Sequence, residues 1–249
     1  ESTNANRIGY TPTERMVSDS LDGLFRNAEN YRIIIATFAS NVNRVQQIIN
    51  CAEKYGRKVA FSGRSMVNYM EVARNLGYLH VPENIIIDID MLDKFMPQQV
   101  VLVTTGSQGE PMSALSRMAY SDHRKVMVGE GDFIIISANP IPGNEKTVGN
   151  VVDELLKKGC KVIYESMYDV HVSGHACQEE LKIIHRLVKP KYFIPVHGEQ
   201  KHLRKHAELA EYLGMERKNI FIGDVGSVVE INENHMKELA PVQSGKVFV

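Results

Sequence analysis

Short apolar runs that alternate with helical segments are the feature that most constrains the fold of this chain. The runs, each long enough for one strand, are Arg32–Phe38, Lys58–Phe61, Asn84–Ile89, Val100–Thr104, Asp132–Ala138, Lys161–Glu165, Tyr192–Val196 and Asn219–Ile222. Strands that are apolar on both faces and alternate with helices are typical of a parallel sheet covered on both sides. The sequence therefore predicts an α/β fold built on a parallel sheet.

Longer segments show apolar residues at helical spacing. Asn41–Tyr55 has this spacing and ends before Gly56, and Lys146–Lys158 ends before Gly159. Glycine commonly ends a helix because it adopts the left-handed conformation without strain. A further helix, Met16–Asn27, is expected after Thr11-Pro12-Thr13-Glu14, because proline suits a first helical turn.

The composition is that of a folded protein without a membrane segment. The 249 residues are 43% hydrophobic, and no apolar run approaches the ~20 residues that span a bilayer. The three cysteines are far apart, which excludes a disulfide framework and favours a reducing cytoplasm. A formal net charge of −1 gives no overall case for nucleic-acid binding. The Lys- and Arg-rich segment 181–206 is either a solvated helix face or an anion-binding surface.

Polar loops follow several predicted strands at the end where open α/β sheets place their ligands. The candidate residues in these loops are Ser40, Asn41, Arg64, Ser65, Ser107, Gln108 and Glu110. Helix starts and guanidinium groups bind phosphate well, so each loop is a candidate anion site. Helix capping and tight turns account for the same residues, and that alternative stays open. The glycine patterns of the usual nucleotide-binding loops are absent from the sequence.

Two histidine-containing loops late in the chain are the strongest candidates for chemistry. His197 follows the apolar run Tyr192–Val196, and His171 and His175 flank Ser173 and Gly174. Imidazole serves as a metal ligand or as a proton carrier near neutral pH, and either role stays open. The small Ser-Gly pair lets the backbone turn tightly and directs several hydrogen-bond donors into one concavity, which suits an anion.

The remaining histidines are weaker candidates. His202 and His206 lie four apart on a predicted helix, but the glutamate of the zinc-protease motif is missing and two cations lie between them. We therefore exclude a metal site there. His80, His123 and His235 have no patterned neighbours and are expected at the surface or in turns.

Short motifs occur in a fixed order along the chain: Glu1–Ala5, Thr37–Asn41, Thr105–Met112, His171–His175 and Pro195–Glu199. In this order they resemble the ribonuclease J family, in the β-CASP branch of the metallo-β-lactamase superfamily, a group of two-metal nucleases. The resemblance implies a Rossmann-like, parallel-sheet β-CASP domain at 1–165. It also implies the C-terminal part of a metallo-β-lactamase αββα domain at 166–231, and a linker or edge strand at 232–249.

The same resemblance implies roles for individual residues. Glu1 and His175 would be catalytic, with Glu1 orienting His175 as the general acid that protonates the departing RNA oxygen, and His197 would be a metal ligand. His171 and Ser173 would bind the phosphate beside the scissile bond, in a substrate-binding run that includes Val172, Gly174 and His175. Ser40, Asn41, Ser107, Gln108 and Glu110 would line the RNA path, and Arg64 and Ser65 are further candidate contacts.

The resemblance also implies cofactors and partners. Two zinc ions would activate hydrolysis of single-stranded RNA to 5′-monophosphates, by 5′-to-3′ exonuclease and endonuclease action in the processing and decay of rRNA and mRNA. The full-length enzyme would be a cytoplasmic homo-oligomer without a membrane segment. The family's His-x-His-x-Asp-His motif would precede Glu1, so the chain is expected to be a fragment that keeps one zinc ligand, His197. We therefore predict that it binds RNA but is inactive alone.

Two other functions stay open. A non-catalytic Rossmann-like domain that binds a phosphorylated metabolite would use the same strand-end loops, and fold alone does not decide between them. A metabolite binder has no need of a metal-ligating histidine beside an acid–imidazole pair, which favours the nuclease. A small-molecule hydrolase of the lactamase type would not need the large α/β block.

Overall fold

The computed structural model describes residues 1–141, 143–164 and 170–245, and the chain divides into two units. Thr13–Val172 form one, termed the α/β unit, and Glu1–Pro12 with Ser173–Val249 form the other, termed the terminal unit. Residues 1–12 thus belong with the C-terminal part of the chain, whereas the sequence analysis grouped them with the α/β block. The predicted boundary between 165 and 166 lies outside the described residues.

A five-stranded parallel sheet is the centre of the α/β unit, with strand order β2-β3-β1-β4-β5. Its strands are β1 (Arg32–Ala36), β2 (Lys58–Ser62), β3 (Val100–Thr104), β4 (Asp132–Ile136) and β5 (Lys161–Ile163). Each of these strands lies within or overlaps a predicted apolar run. The predicted α/β fold with a parallel sheet is therefore confirmed. Glu165, at the end of the predicted run Lys161–Glu165, lies outside the described residues.

Helices cover both faces of this sheet. They are α1 (Glu14–Asn27), α2 (Val42–Lys54), α3 (Arg64–Asn75), α4 (Ala114–Ala119) and α5 (Glu145–Lys157). Alternate residues of a strand point to opposite faces, so Ile33 and Ile35 of β1 pack with residues of α1, α2 and α3. Ile34 and Ala36 pack with residues of α4 and α5 on the other face. All four side chains are fully buried, which explains why the strands are apolar throughout.

The ends of the helices follow the predicted signals. Asn41 caps α2, because its side chain accepts a hydrogen bond from the Arg44 N–H at 3.1 Å. Gly56 and Gly159, which follow α2 and α5, have φ angles of 64° and 81°. These angles lie in the left-handed region that ends a helix. The predicted helices α1, α2 and α5 are confirmed, and their ends differ from the predicted ones by a residue or two.

The strand predicted at Asn84–Ile89 is wrong. This segment meets β2 at one bridge, between Ile86 and Val59. Asn84 has a φ of 60°, which turns the chain before the bridge. After the bridge, the Asp88 side chain accepts a hydrogen bond from the Asp90 N–H and starts a 3-10 helix, Ile89–Lys94. Turn-forming residues at both ends therefore prevent a longer ladder. A second 3-10 helix, Pro97–Gln99, precedes β3.

The terminal unit contains helices α6 (Gln178–Val188) and α7 (Gln200–Tyr212) and an antiparallel hairpin of β6 (Val228–Ile231) and β7 (Met236–Leu239). A 3-10 turn, Arg217–Asn219, follows α7. Strand β7 lies in the segment 232–249 that was predicted as a linker or edge strand, and residues 246–249 lie outside the described part. No helix among the described residues is long and apolar enough to cross a membrane.

The predicted strands Tyr192–Val196 and Asn219–Ile222 are also wrong as written. The two segments meet at a single parallel bridge, between Phe193 and Ile220. Pro195 has no N–H to donate to a ladder, and Val196 is 54% exposed. His197 therefore follows a short extended segment and not a buried strand.

Candidate active site

Glu1 and His175 form a hydrogen-bonded pair in the terminal unit. Glu1 Oε2 lies 2.6 Å from His175 Nδ1, and Glu1 Oε1 accepts a hydrogen bond from the Ala176 N–H at 3.2 Å. Partial burial works to raise the pKa of the Glu1 carboxyl, but the hydrogen bond and charge of His175 outweigh it and hold this pKa below its ordinary value. Glu1 is thus a carboxylate that orients the imidazole, and Nε2 is the ring nitrogen that can reach a ligand.

The loop that carries His175 is held by the first residues of the chain. Asn4 Nδ2 donates hydrogen bonds to Ser173 Oγ at 3.0 Å and to the His175 carbonyl at 2.9 Å. Thr11 Oγ1 donates to the same carbonyl at 2.9 Å. Asn4 is 4% exposed, so these bonds are shielded from water. Sequence reasoning missed Asn4 and Thr11 as positioning residues, although Asn4 lies within the motif Glu1–Ala5.

His197 has a left-handed backbone, with a φ of 59°. Its carbonyl accepts hydrogen bonds from the Ser2 N–H and from Thr3 Oγ1, both at 3.1 Å. A left-handed conformation costs a residue other than glycine about 1–2 kcal/mol, and such strain concentrates at functional sites. Gly198 packs tightly here, since an added Cβ would lie 2.9 Å from the Cβ of His202.

The rings of His175 and His197 lie close together, with 5.4 Å between their centroids. Ligand-type atoms of Glu1, His175 and His197 lie within 4.8 Å of one another, and no other such group of three is found in the described parts of the chain. His202 and His206 do not join it. His202 Nδ1 accepts a hydrogen bond from the Glu199 N–H at 3.1 Å. The exclusion of a metal site at His202 and His206 stays a prediction.

His206 is instead a buried structural residue. It is 7% exposed, and its Nδ1 lies 2.9 Å from Ser2 Oγ. Burial lowers the pKa of His206 to about 4, so its imidazole is neutral at physiological pH. The ring also packs edge-on against Phe193 at 4.8 Å between centroids. His206 therefore fixes Ser2, the neighbour of Glu1 in the chain.

The donor set does not by itself form a complete zinc site. Two ligands at ~2.1 Å from a tetrahedral zinc lie ~3.4 Å apart, whereas the Glu1 and His175 atoms are 2.6 Å apart. That distance is typical of a pair sharing a proton. His197 is left as the ligand-type residue, and a single ligand does not hold zinc. The described residues thus provide one ligand and an acid–imidazole pair.

His171 and Val172 lie in the α/β unit. Among the described residues, His171 Nδ1 is one of few buried side-chain atoms that lack a hydrogen-bond partner. Burial, and then the positive charge of Arg44, lower the pKa of His171, so the ring is neutral and can both donate and accept. Val172 packs against the core of this unit. In the terminal unit, Ser173 accepts hydrogen bonds and Gly174 is exposed.

Two of the strand-end loops are accessible. Ser40 follows β1 and is exposed, while Asn41 is engaged as the cap of α2. Arg64 and Ser65 begin α3 directly after β2, and both are exposed. Because parallel strands end at one edge of the sheet, these loops share that edge.

The third strand-end loop is mostly internal. Ser107 is 2% and Gln108 is 3% exposed, whereas Glu110 is exposed. The Gln108 amide donates to the Asn139 carbonyl at 2.9 Å and accepts from the Ile141 N–H at 2.7 Å. These bonds give Gln108 a structural role in tying two loops together.

Two family models cover most of the chain. "Ribonuclease J, beta-CASP domain" matches residues 30–155, and "Zn-dependent metallo-hydrolase RNA specificity domain" matches residues 160–222. The first match falls within the α/β unit. The second covers residues 160–172 of that unit and residues 173–222 of the terminal unit. Together with the fold and the histidine cluster, they define the class as a metallo-hydrolase with a β-CASP domain.

Similarity to curated proteins extends over the whole chain. It is 45% identical to Ribonuclease J of Helicobacter pylori (strain J99), 46% to Ribonuclease J of Mycolicibacterium smegmatis and 42% to Ribonuclease J2 of Bacillus subtilis (strain 168). Each match covers 100% of this chain. The chain belongs to the ribonuclease J family. It spans 36% of the length of the Helicobacter relative and 44% of the other two.

Proposed function

We propose that this chain is part of a metal-dependent ribonuclease that hydrolyses phosphodiesters of single-stranded RNA to 5′-monophosphates. The observation that carries the proposal is the cluster of Glu1, His175 and His197, which a binding module for metabolites would not need. Family membership supports the same class of chemistry. By family resemblance, we propose 5′-to-3′ exonuclease and endonuclease action in the processing and decay of cytoplasmic RNA.

We assign His175 as the general acid. Glu1 Oε2 holds the Nδ1 side of the ring, so a proton on Nε2 faces outward and can pass to the oxygen that departs from phosphorus. Asn4 and Thr11 fix the backbone of this loop and act as positioning residues.

We assign His197 as a metal ligand. Two zinc ions, when bound, would lower the pKa of water and polarise the phosphodiester. Neither ring nitrogen of His197 takes part in the Glu1–His175 hydrogen bond. Hydrogen bonds to the His197 carbonyl fix its backbone. Because one ligand does not retain zinc, we propose that further ligands come from parts of ribonuclease J that this chain does not cover.

The RNA contacts are proposed from chemistry and resemblance. His171 and Ser173 would bind the phosphate beside the scissile bond, with Val172 and Gly174 shaping that loop. Exposed Ser40, Arg64, Ser65 and Glu110 and partly buried Asn41 would line the path of the strand, whereas buried Ser107 and Gln108 would shape its wall. We propose a homo-oligomer for the full-length enzyme. The domain limits of 1–165, 166–231 and 232–249 stay a prediction, although residues 1–12 group with the terminal unit in the structure.

A chimeric enzyme tests the proposed function. The matching segment of the Helicobacter pylori relative would be replaced by this chain, and cleavage of 5′-phosphorylated single-stranded RNA would be measured with zinc content. We expect cleavage, a roughly 10²- to 10⁴-fold loss for His175→Ala, and loss of bound zinc for His197→Ala. His80→Ala, at an exposed histidine of the α/β unit, is the control.

Two outcomes would contradict the proposal. Equal cleavage by the His175→Ala and His80→Ala chimeras would remove His175 from the chemistry. A chimera that takes up zinc without cleaving RNA would argue against a nuclease. For the isolated chain we expect RNA binding without hydrolysis, and metal-dependent cleavage by the pure chain would disprove its predicted inactivity.

A further inference from the structure

A pocket of about 290 Å³ lies at the carboxyl end of β2, within the α/β unit. We call it the basic pocket. The apolar part of its lining consists of Phe61, Val67 and Ile89. Val67 is 45% exposed on α3, so an apolar surface faces solvent here. This volume is at the small end of ligand pockets and suits one nucleotide unit rather than a large cofactor.

The lining of the basic pocket also includes cationic side chains. It carries Arg64, Arg117, Arg124 and Lys125. Lys125 pairs with Asp90 at 2.5 Å. Within the described ranges, the three arginines have no carboxylate within ion-pair distance. Uncompensated guanidinium groups beside an apolar surface are typical of sites for anions that also carry an aromatic ring.

Arg117 has a buried atom without a partner. Its Nε is shielded from solvent and lacks a hydrogen bond among the described residues. A buried donor without a partner costs about 1–3 kcal/mol, and a bound ligand or water would remove that cost. The pKa of the neighbouring His123 is lowered by burial and then by the positive charges of Arg117 and Lys125. The electrostatic potential beside His123 is therefore positive.

Ser62 and His123 provide an oriented donor on the pocket wall. His123 Nδ1 accepts hydrogen bonds from the backbone N–H groups of Lys125 and Val126, at 3.3 and 3.1 Å. The proton of the neutral ring is therefore on Nε2, which lies 3.1 Å from Ser62 Oγ. Ser62 Oγ accepts a hydrogen bond from this N–H and keeps its own hydroxyl hydrogen for donation. Because Ser62 is 3% exposed, that donor is fixed within the wall.

We propose that the basic pocket binds one nucleotide of single-stranded RNA, with the base against Phe61, Val67 and Ile89 and the adjoining phosphate held by Arg64 and Arg124. Arginine also stacks on bases, which makes the site tolerant of sequence. The choice of RNA over a free nucleotide rests on the proposed function. The site itself rests on the geometry of this unit, and it gives His123 a role that its sequence context did not indicate.

A binding experiment with matched variants tests this site. Anisotropy of a fluorescent, 5′-phosphorylated oligouridylate would be measured over a salt series for the whole chain. For the double variant Arg64→Ala and Arg124→Ala, we expect binding about tenfold weaker at about 50 mM salt. The log–log salt slope should also fall by about 0.7, since the neutralisation of one phosphate is lost. Val67→Glu, which places a carboxylate among the apolar lining residues of the pocket, should weaken binding about fivefold or more.

Arg74→Ala is the control. It removes the same charge from an exposed position at the other end of α3, about 15 Å away along the helix. We expect its affinity to stay within about twofold of the parent. All the altered residues are exposed, and thermal melts of each variant would verify folding.

Several results would overturn the inference. The first is an equal affinity of the double variant and of Arg74→Ala for the oligouridylate. The second is no measurable binding of the oligouridylate by the unaltered chain at low salt. Competition by uridine monophosphate as strong as that by the oligomer would indicate a metabolite site instead. The proposed nuclease function is decided separately, by cleavage in the chimera, so either proposal can fail while the other stands.

Discussion

Gly109→Ala should destabilise the α/β unit by about 2–5 kcal/mol, from two sources that the structure identifies. Gly109 has a φ of 72°, where an L-residue is strained by about 1–2 kcal/mol. An added Cβ would lie 2.8 Å from the carbonyl carbon and oxygen of Thr147 and from the Val148 nitrogen. These are backbone atoms at the start of α5 and cannot rotate away, so the clash adds roughly 1–3 kcal/mol.

Gly149→Ala is the matched control for this substitution. Gly149 lies inside α5, close in sequence to the atoms that Gly109 approaches, and nothing lies within 4 Å of its added Cβ. Alanine loses less conformational entropy than glycine in a helix, so this variant should be about 0.5–1 kcal/mol more stable than the parent. The two variants add the same methyl group and should shift stability in opposite directions.

Urea unfolding followed by circular dichroism measures both shifts through the transition midpoint. Because the chain has two units, hydrogen exchange of peptides from β3 and α5 should accompany it, so that unfolding of the α/β unit is measured by itself. A Gly109→Ala variant as stable as the parent, with Gly149→Ala stabilised as expected, would show that the loop accepts a side chain. The close packing of the Gly106–Gly109 turn on α5 would then not be needed for stability.

Three further predictions concern buried polar groups. Arg44 is fully buried and binds Glu14 through two hydrogen bonds, as well as Ser137 and the Val170 carbonyl. Arg44→Met should therefore lower the free energy of unfolding, measured in urea, by about 2–4 kcal/mol. A loss as small as that of the exposed Arg26→Met would contradict this structural role. The pKa of His206 is about 4 in the folded chain and near 6.5 in the unfolded chain, so the free energy of unfolding falls by roughly 3 kcal/mol as the pH falls from 6.5 to 4. His206→Gln should reduce this pH dependence in thermal melts. An unchanged pH dependence would refute the assignment to His206. Burial raises the pKa of Cys51 and of Cys160 to about 11, so alkylation at mildly alkaline pH should label them only after unfolding, and rapid labelling of the native chain would show that they are accessible.

The sheet of the α/β unit could be predicted because its strands are buried on both faces. A run such as Ile33–Ala36 contributes to both cores, so every position must be apolar and the signal is continuous. The segments Asn84–Ile89 and Tyr192–Val196 are equally apolar but form one bridge each. What separates them from true strands is local: a left-handed Asn84, a capping Asp88, and Pro195 without an N–H. Apolar content reports burial, and turn chemistry decides whether a ladder forms.

The site was only partly visible in the sequence. His171, His175 and His197 stand out because imidazoles flanked by small residues after apolar runs have few structural explanations. The role of Asn4 could not be predicted in this way, because its side chain donates hydrogen bonds to Ser173 and His175, far along the chain. Such a contact depends on tertiary structure and has no local pattern. The basic pocket was missed for the same reason: Ser62 and His123 are 61 residues apart and meet only in the folded unit.

Glu1 lies beside His175 because the terminal unit combines residues 1–12 with residues 173–249. The Glu1–His175 bond closes a loop of 174 residues that contains the whole α/β unit. The entropic cost of closing a loop grows only slowly with its length, and a folded unit inside it leaves far fewer flexible residues to order. The hydrogen bonds of Ser2, Thr3, Asn4 and Thr11 then act over a short segment to hold both histidine loops. A carboxylate at the start of this chain can therefore support an imidazole far along it, provided that residues 1–12 fold with the terminal unit.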